Sequence, residues 1–284
     1  MSNKVCFYSR KNHCTKNITK EHAVSKSVLN VLGLIGDGIV KADIIKKSSV
    51  LGCEAIVKDV CSKCNNESLS GYDKSGKELV EFLKVSAQNE PLIIPFGNSA
   101  FGWLLKTHLN FFRIVKDRLT GKAYKVSQKL KNALIDGRSF DNTLCFFLAR
   151  QNHNSKAFWG DEPGRKMPSL HYNSKRIFFG DLIYSRLQIL QLDTVLFFPV
   201  DSNYKNFARR FEEFIERWES DPVLQSQIDI EGYELIDIEL LVKRNYFPLT
   251  QVMSPESLDR RLRPAFSSED RVRLAGLMES KKRR

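Results

Sequence analysis

Five of the six cysteines fall between positions 6 and 64, at Cys6, Cys14, Cys53, Cys61 and Cys64, and no other feature constrains the fold as tightly. Thiols gathered at one end of a chain form disulfides or hold a metal, and the redox compartment decides which. The first residues, MSNKVCFYSRK, contain no apolar run of the kind a secretory signal needs. The longest apolar runs, such as TVLFFPV, are too short to span a bilayer. A soluble, cytoplasmic protein with reduced cysteines is therefore expected, and the clustered thiols read as metal ligands. The sixth, Cys145, lies in the apolar run TLCFFLA and reads as a buried strand residue.

Cys61 and Cys64 form a Cys-x-x-Cys knuckle, which supplies half of a closed, four-ligand zinc site. Cys6 offers a third thiolate, and the fourth ligand is Cys14 or His13. Two amides, Asn65 and Asn66, follow the knuckle directly, while Glu21 and His22 stand between the two cysteine groups, where an extended segment meets a helix. A neutral imidazole takes a proton from water near pH 7. A carboxylate, with an amide oxygen beside it, holds a hard divalent cation. Metal plus base is a recipe for phosphodiester hydrolysis. The plainer alternatives are a helix start at which Glu21 favours the dipole, and a helix N-cap for Asn65 or Asn66.

The chain of 284 residues is 42% hydrophobic, which allows one large or two ordinary domains with a real core. Its formal net charge of +12 favours a polyanionic partner, nucleic acid first. The fold class expected is α+β: a small metal-braced unit over residues 1–90, then a larger mixed α+β domain over residues 91–284, with the boundary in NEPLIIPFGNS. The first part reads as a short strand at KVCFY, a helix ending at Gly33, extended structure through SVLGCEAIVKDVC that buries Cys53, and helices after Asn65 and over GKELVEFLKVSAQ. The second part reads as a helix over AFGWLLKTHLNFFRIVKDRL, strands at NTLCFFLAR, RIFFGDLIYSRLQIL and DTVLFFPV, and a helix over NYKNFARRFEEFIERWES capped by Asp201 or Ser202. Trp103, Lys106, Asn110 and Arg113 recur at helical spacing as a polar-edged stripe. Lys106 and Arg113 there, with Arg260 and Arg261 in RRLRPAF, are candidate contacts to a phosphate backbone; the plainer readings are a solvated helix face and a basic tail.

The order of Cys6, then KEHAVSKSVL, then CSKCNNESLSGYD resembles the HNH endonuclease family over roughly residues 6–73. That resemblance implies a ββα-metal unit braced by structural Zn2+ on Cys6, Cys14, Cys61 and Cys64. It implies His22 as general base, with Glu21 and Asn65 holding a catalytic Mg2+ or Mn2+. Asp73 matches an acidic position that often follows the second knuckle, and Asn30 is the one match for the middle asparagine of the family name. Two departures stand out: Ser9 replaces the second cysteine of the first knuckle, and no proline follows His22 within EHAVSK. The implied activity is cleavage of DNA, leaving a 5′-phosphate and a 3′-hydroxyl, and the residues do not separate DNA from RNA as the substrate. The implied setting is restriction or anti-phage defence, with a second copy or a defence protein as partner and no membrane. The alternative function is a non-catalytic zinc-knuckle module that binds nucleic acid or protein.

Overall fold

The computed structural model describes residues 5–9, 14–34, 39–44, 47–52, 55–86, 92–95, 97–114, 125–137, 140, 144–151, 170–177, 182–199, 206–238 and 246–249. The fold is α+β, with helices packed on mainly antiparallel sheets. Arg260 and Arg261 lie outside the described residues, as do His13, Cys53, Asp201 and Ser202.

Seven strands form the main sheet: β2 (Ile39–Ile44), β3 (Lys47–Gly52), β6 (Phe146–Gln151), β7 (Leu170–Ile177), β8 (Leu182–Ile189), β9 (Leu192–Pro199) and β10 (Glu234–Ile236). Their order is β10-β6-β9-β8-β7-β2-β3, antiparallel throughout except for the parallel pair β2–β7. The segment read as one strand, RIFFGDLIYSRLQIL, spans the reversal between β7 and β8. Every residue of β8 and β9 is buried, so the sheet is covered on both faces at these two strands. Period-two alternation sorts the side chains. Phe146, Leu148, Val195 and Phe197 pack on the helix α5 (Phe207–Ser220), against Phe207, Phe211, Phe214, Ile215 and Trp218. Phe147, Ala149, Leu196 and Phe198 face the opposite way, into the larger core.

That larger core is built around α3 (Gly97–Ile114), in which every residue from 101 to 112 is buried. A helix buried all round must find partners for each polar side chain it carries. His108 shows how this is done. Its Nδ1 lies 2.7 Å from Ser185 Oγ and its Nε2 lies 3.2 Å from Thr194 Oγ1. Thr194 donates its hydroxyl proton to Leu187 O and Ser185 donates to Tyr172 Oη at 3.0 Å, so both hydroxyls that meet the ring are themselves held by the core.

The N-terminal elements belong to the same core. β1 (Ile18–His22) pairs antiparallel with β4 (Ile56–Cys61), and α1 (Lys26–Leu32) ends on Gly33 at φ 70, a left-handed cap suited to glycine. A π-helical turn over Cys64–Ser68 then leads into α2 (Ser70–Val85), so the two expected helices form one unit. Val24, Val28, Leu29, Leu79, Val80 and Leu83 share one hydrophobic cluster with Trp103, Leu105 and Leu109. Near residue 91, where the sequence places a boundary, lies β5 (Leu92–Pro95), paired antiparallel with β11 (Tyr246–Leu249). KVCFY was expected as a strand; Cys6–Ser9 instead form a turn, in which the Ser9 N–H donates to Cys6 O at 2.9 Å. The expected cap of α5 moves to Asn206, immediately before the helix.

Two outcomes test this packing. A Cβ at Gly76 would stand 2.3 Å from the buried Trp103 ring, so Gly76→Ala is expected to cost about 1–3 kcal/mol in denaturant unfolding. Burial pushes His108 down to about 3, below its unfolded value of 6.5, so the unfolded chain takes up this proton first. Its contribution is complete above pH 6.5 and falls toward pH 3 by up to about 1.4 kcal/mol per unit. Stability measured across that window should lose this slope in His108→Gln.

Candidate metal centre and the buried charges beside it

The knuckle forms because β4 ends at Cys61 and the chain turns straight into a π-helical turn, closed by the Leu69 N–H donating to Cys64 O at 3.0 Å. Helices of this type are rare and often mark functional positions. Cys6 reaches the knuckle from the turn at Phe7–Tyr8, which the Phe7 N–H anchors to Asp59 O at 2.6 Å. Cys14 arrives just ahead of β1.

The four sulfurs all lie within 4.8 Å of one another, with Cys6 and Cys64 at 3.9 Å and Cys14 and Cys64 at 3.7 Å. A tetrahedral zinc with bonds of about 2.3 Å separates its sulfurs by roughly 3.8 Å. The residues present therefore fit a structural zinc, and Cys14 takes the fourth place that Ser9 left open. Cys6, Cys61 and Cys64 are buried, as a closed site requires. Hydrogen bonding from the Cys64 thiol pulls Cys6 down to about 4, against the upward push of burial, and the Cys61 N–H adds to it at 3.4 Å. A thiolate is the form that binds metal. Two side chains of α4 (Gln128–Asp136) hold the same turn: Lys131 donates to Phe7 O at 2.9 Å and Gln128 donates to Tyr8 O.

The other expected residues take different places. Glu21 lies on β1 with its side chain only 3% exposed. Its Oε1 lies 3.2 Å from Lys106 Nζ and its Oε2 lies 2.8 Å from Arg113 Nη2. Asn110 Nδ2 adds a hydrogen bond to Oε1 at 3.3 Å. Burial opposes the charge of Glu21, but Arg113 and then Lys106 hold its carboxyl below the usual value. Lys106 also donates to Asp73 Oδ1 at 2.7 Å, and Arg113 donates to Asp59 Oδ1 at 2.8 Å. Burial pushes both Asp73 and Asp59 upward, against Lys106 and Arg113 respectively.

Lys106 and Arg113 must therefore be corrected as backbone contacts. Their side chains are 3% and 4% exposed, and their charges are spent inside the protein on Glu21, Asp73 and Asp59. Trp103 and Asn110 of the same stripe are buried too. The spacing of Lys106, Asn110 and Arg113 was a real signal, but of a polar seam facing β1 rather than of a face in water. Asp59 had no sequence signal. Asn110 was seen, but its role was not.

His22 ends β1 half-buried and lies within electrostatic reach of Asp73, in the first turn of α2. Asn65 folds back onto the same strand, its Nδ2 donating to Thr19 Oγ1 at 3.1 Å and to Lys20 O at 3.4 Å. Asn66 is exposed, as is Asn30 on α1. Among the described residues, the four cysteines are the one set of His, Cys, Asp and Glu side chains drawn close enough to hold an ion. None of the described helices is long and apolar enough to cross a membrane.

Purified protein is expected to carry one zinc per chain by elemental analysis. Cys61→Ser, or a strong chelator, should lower the thermal midpoint by roughly 10 °C or more, because metal bound only by the folded chain adds directly to stability. No protein-family model matches the chain, and neither a curated protein nor a solved structure matches it, so the site is described by its own geometry.

Proposed function

We propose that the chain is an HNH-type nuclease that hydrolyses phosphodiester bonds in DNA, with His22 as general base. One observation carries the reading: two antiparallel strands and a helix meet at the four-cysteine cluster, and the imidazole stands at the other end of the same strand pair. β4 ends at Cys61 and leads through Cys64 and the π-helical turn into α2, His22 ends the paired strand β1 opposite Ile56, and Asn65 of that turn closes onto β1. Lys20 of β1 and Lys58 of β4 are exposed on this strand pair, which suits a phosphate backbone, as does the net charge of +12.

The zinc would brace the junction of strand and helix and take no part in the reaction. A divalent Mg2+ or Mn2+ would supply charge stabilisation at the phosphate. The donor set does not fit that ion as it stands, because both oxygens of Glu21 already face cations and the amide nitrogen of Asn65 faces β1. What remains to the chain's own residues is base chemistry. His22 takes a proton from water, the hydroxide attacks phosphorus in line, and the 3′ oxygen leaves and is protonated by solvent. The products are a 5′-phosphate and a 3′-hydroxyl. Restriction or anti-phage defence is the setting that such a nuclease suits.

One observation favours a second reading, a zinc-stapled module that binds nucleic acid or protein without cutting. Glu21 is neutralised from within, as a structural carboxylate would be. Incubation with plasmid, single-stranded DNA and RNA, in Mg2+, Mn2+ or EDTA, separates the two. A nuclease cleaves, and His22→Ala lowers the rate by about 100-fold or more while binding in a gel-shift assay persists. Binding without cleavage by the wild-type protein in every condition would establish the second reading.

A further inference from the structure

We propose that Lys106 is the resident cation of the candidate site, its ammonium holding the position between Glu21 and Asp73 that a divalent ion would need. The inference deepens the nuclease reading by naming the charge that sits at its carboxylates. It stands on placement. Glycine at position 76 lets the Trp103 ring close against α2. One turn along α3 from Trp103, and one turn back along α2 from Gly76, Lys106 meets Asp73 at 2.7 Å. The same ammonium lies 3.2 Å from Glu21 Oε1. An ammonium within about 3 Å of two carboxylates does the electrostatic work of a bound ion, with no coordination geometry to satisfy.

Displacing it is unfavourable. The Lys106 side chain is 3% exposed, and the surrounding helix surface is packed with Leu105, Leu109 and Phe112. Withdrawal would strand a charge in that core. The second oxygen of Glu21 offers no way round, because Arg113 takes it at 2.8 Å. The zinc-loaded chain alone therefore takes up no divalent ion at Glu21. Removing the ammonium leaves Glu21 with Arg113 and Asp73 with the His22 imidazole nearby, and opens a carboxylate pair to a hard metal.

The test is Mn2+ binding to zinc-loaded protein, followed by electron paramagnetic resonance and calorimetry. Mn2+ ranks below zinc in affinity for such ligands and leaves the thiolates undisturbed. The wild type is expected to bind no Mn2+ at this position. Lys106→Met should gain one Mn2+ per chain, at least about tenfold tighter than any wild-type binding, and should lose it again when Asp73→Asn is added. Lys106→Gln keeps a hydrogen-bond donor between the carboxylates and is the second variant should the first fail to fold. A wild-type Mn2+ site that Asp73→Asn or Glu21→Gln abolishes would overturn the proposal, and so would folded Lys106 variants that gain no site. The assay reads ion binding rather than cleavage, so a failed nuclease reading leaves it intact.

Discussion

A carboxylate buried in a protein core must be met by cations, and Glu21 is met by two. This requirement organises the N-terminal third of the molecule. Arg113 and Lys106 reach Glu21 from one helix, and the same two side chains reach Asp59 on β4 and Asp73 on α2. Four secondary-structure elements are thereby set relative to one another by charge. Removing one partner from such a network costs about 3–5 kcal/mol, because the remaining charge cannot return to water. A network of this kind fixes positions more than it adds stability.

The cysteine cluster hangs on that frame. Arg113 lies over the Phe7 ring at 4.6 Å, and Phe7 follows Cys6 directly, so the guanidinium that holds Glu21 also steadies the turn that delivers a metal ligand. Lys131 approaches the same ring at 4.8 Å from α4. The cysteine cluster and the buried charges thus share the turn at Phe7. The imidazole of His22 sits at the far end of β1 from the cysteines, opposite Ile56 and within electrostatic reach of Asp73. That placement gives the proposed chemistry its position.

Much of this was legible in the sequence, and the misses share a cause. Cysteine spacing announced the cluster because only a metal or a disulfide gives such spacing a purpose. Gly33 announced the end of α1 because a left-handed cap wants glycine. The phenylalanine rhythm of α5 announced a half-buried helix. The side of the helix on which Lys106 and Arg113 would fall was not legible, because charged side chains are buried only when paired. Their partners, Glu21, Asp59 and Asp73, lie far away in the chain. Pro95, near which the sequence suggested a boundary, lies in β5, and an edge pair such as β5–β11 tolerates proline. Long-range pairing likewise explains why β2 was not placed beside β7, a parallel contact between residues some 130 positions apart in the sequence.

The charge frame depends on the ammonium of Lys106 being locked between Glu21 and Asp73. Heteronuclear magnetic resonance of lysine Nζ groups examines that directly, since surface ammonium protons exchange with water far too fast to be seen at neutral pH. A locked Lys106 gives a protected ammonium signal that vanishes in Lys106→Met and shifts in Asp73→Asn. A Lys106 ammonium exchanging as fast as Lys74 or Lys77, whose side chains are 81% and 48% exposed, would contradict it.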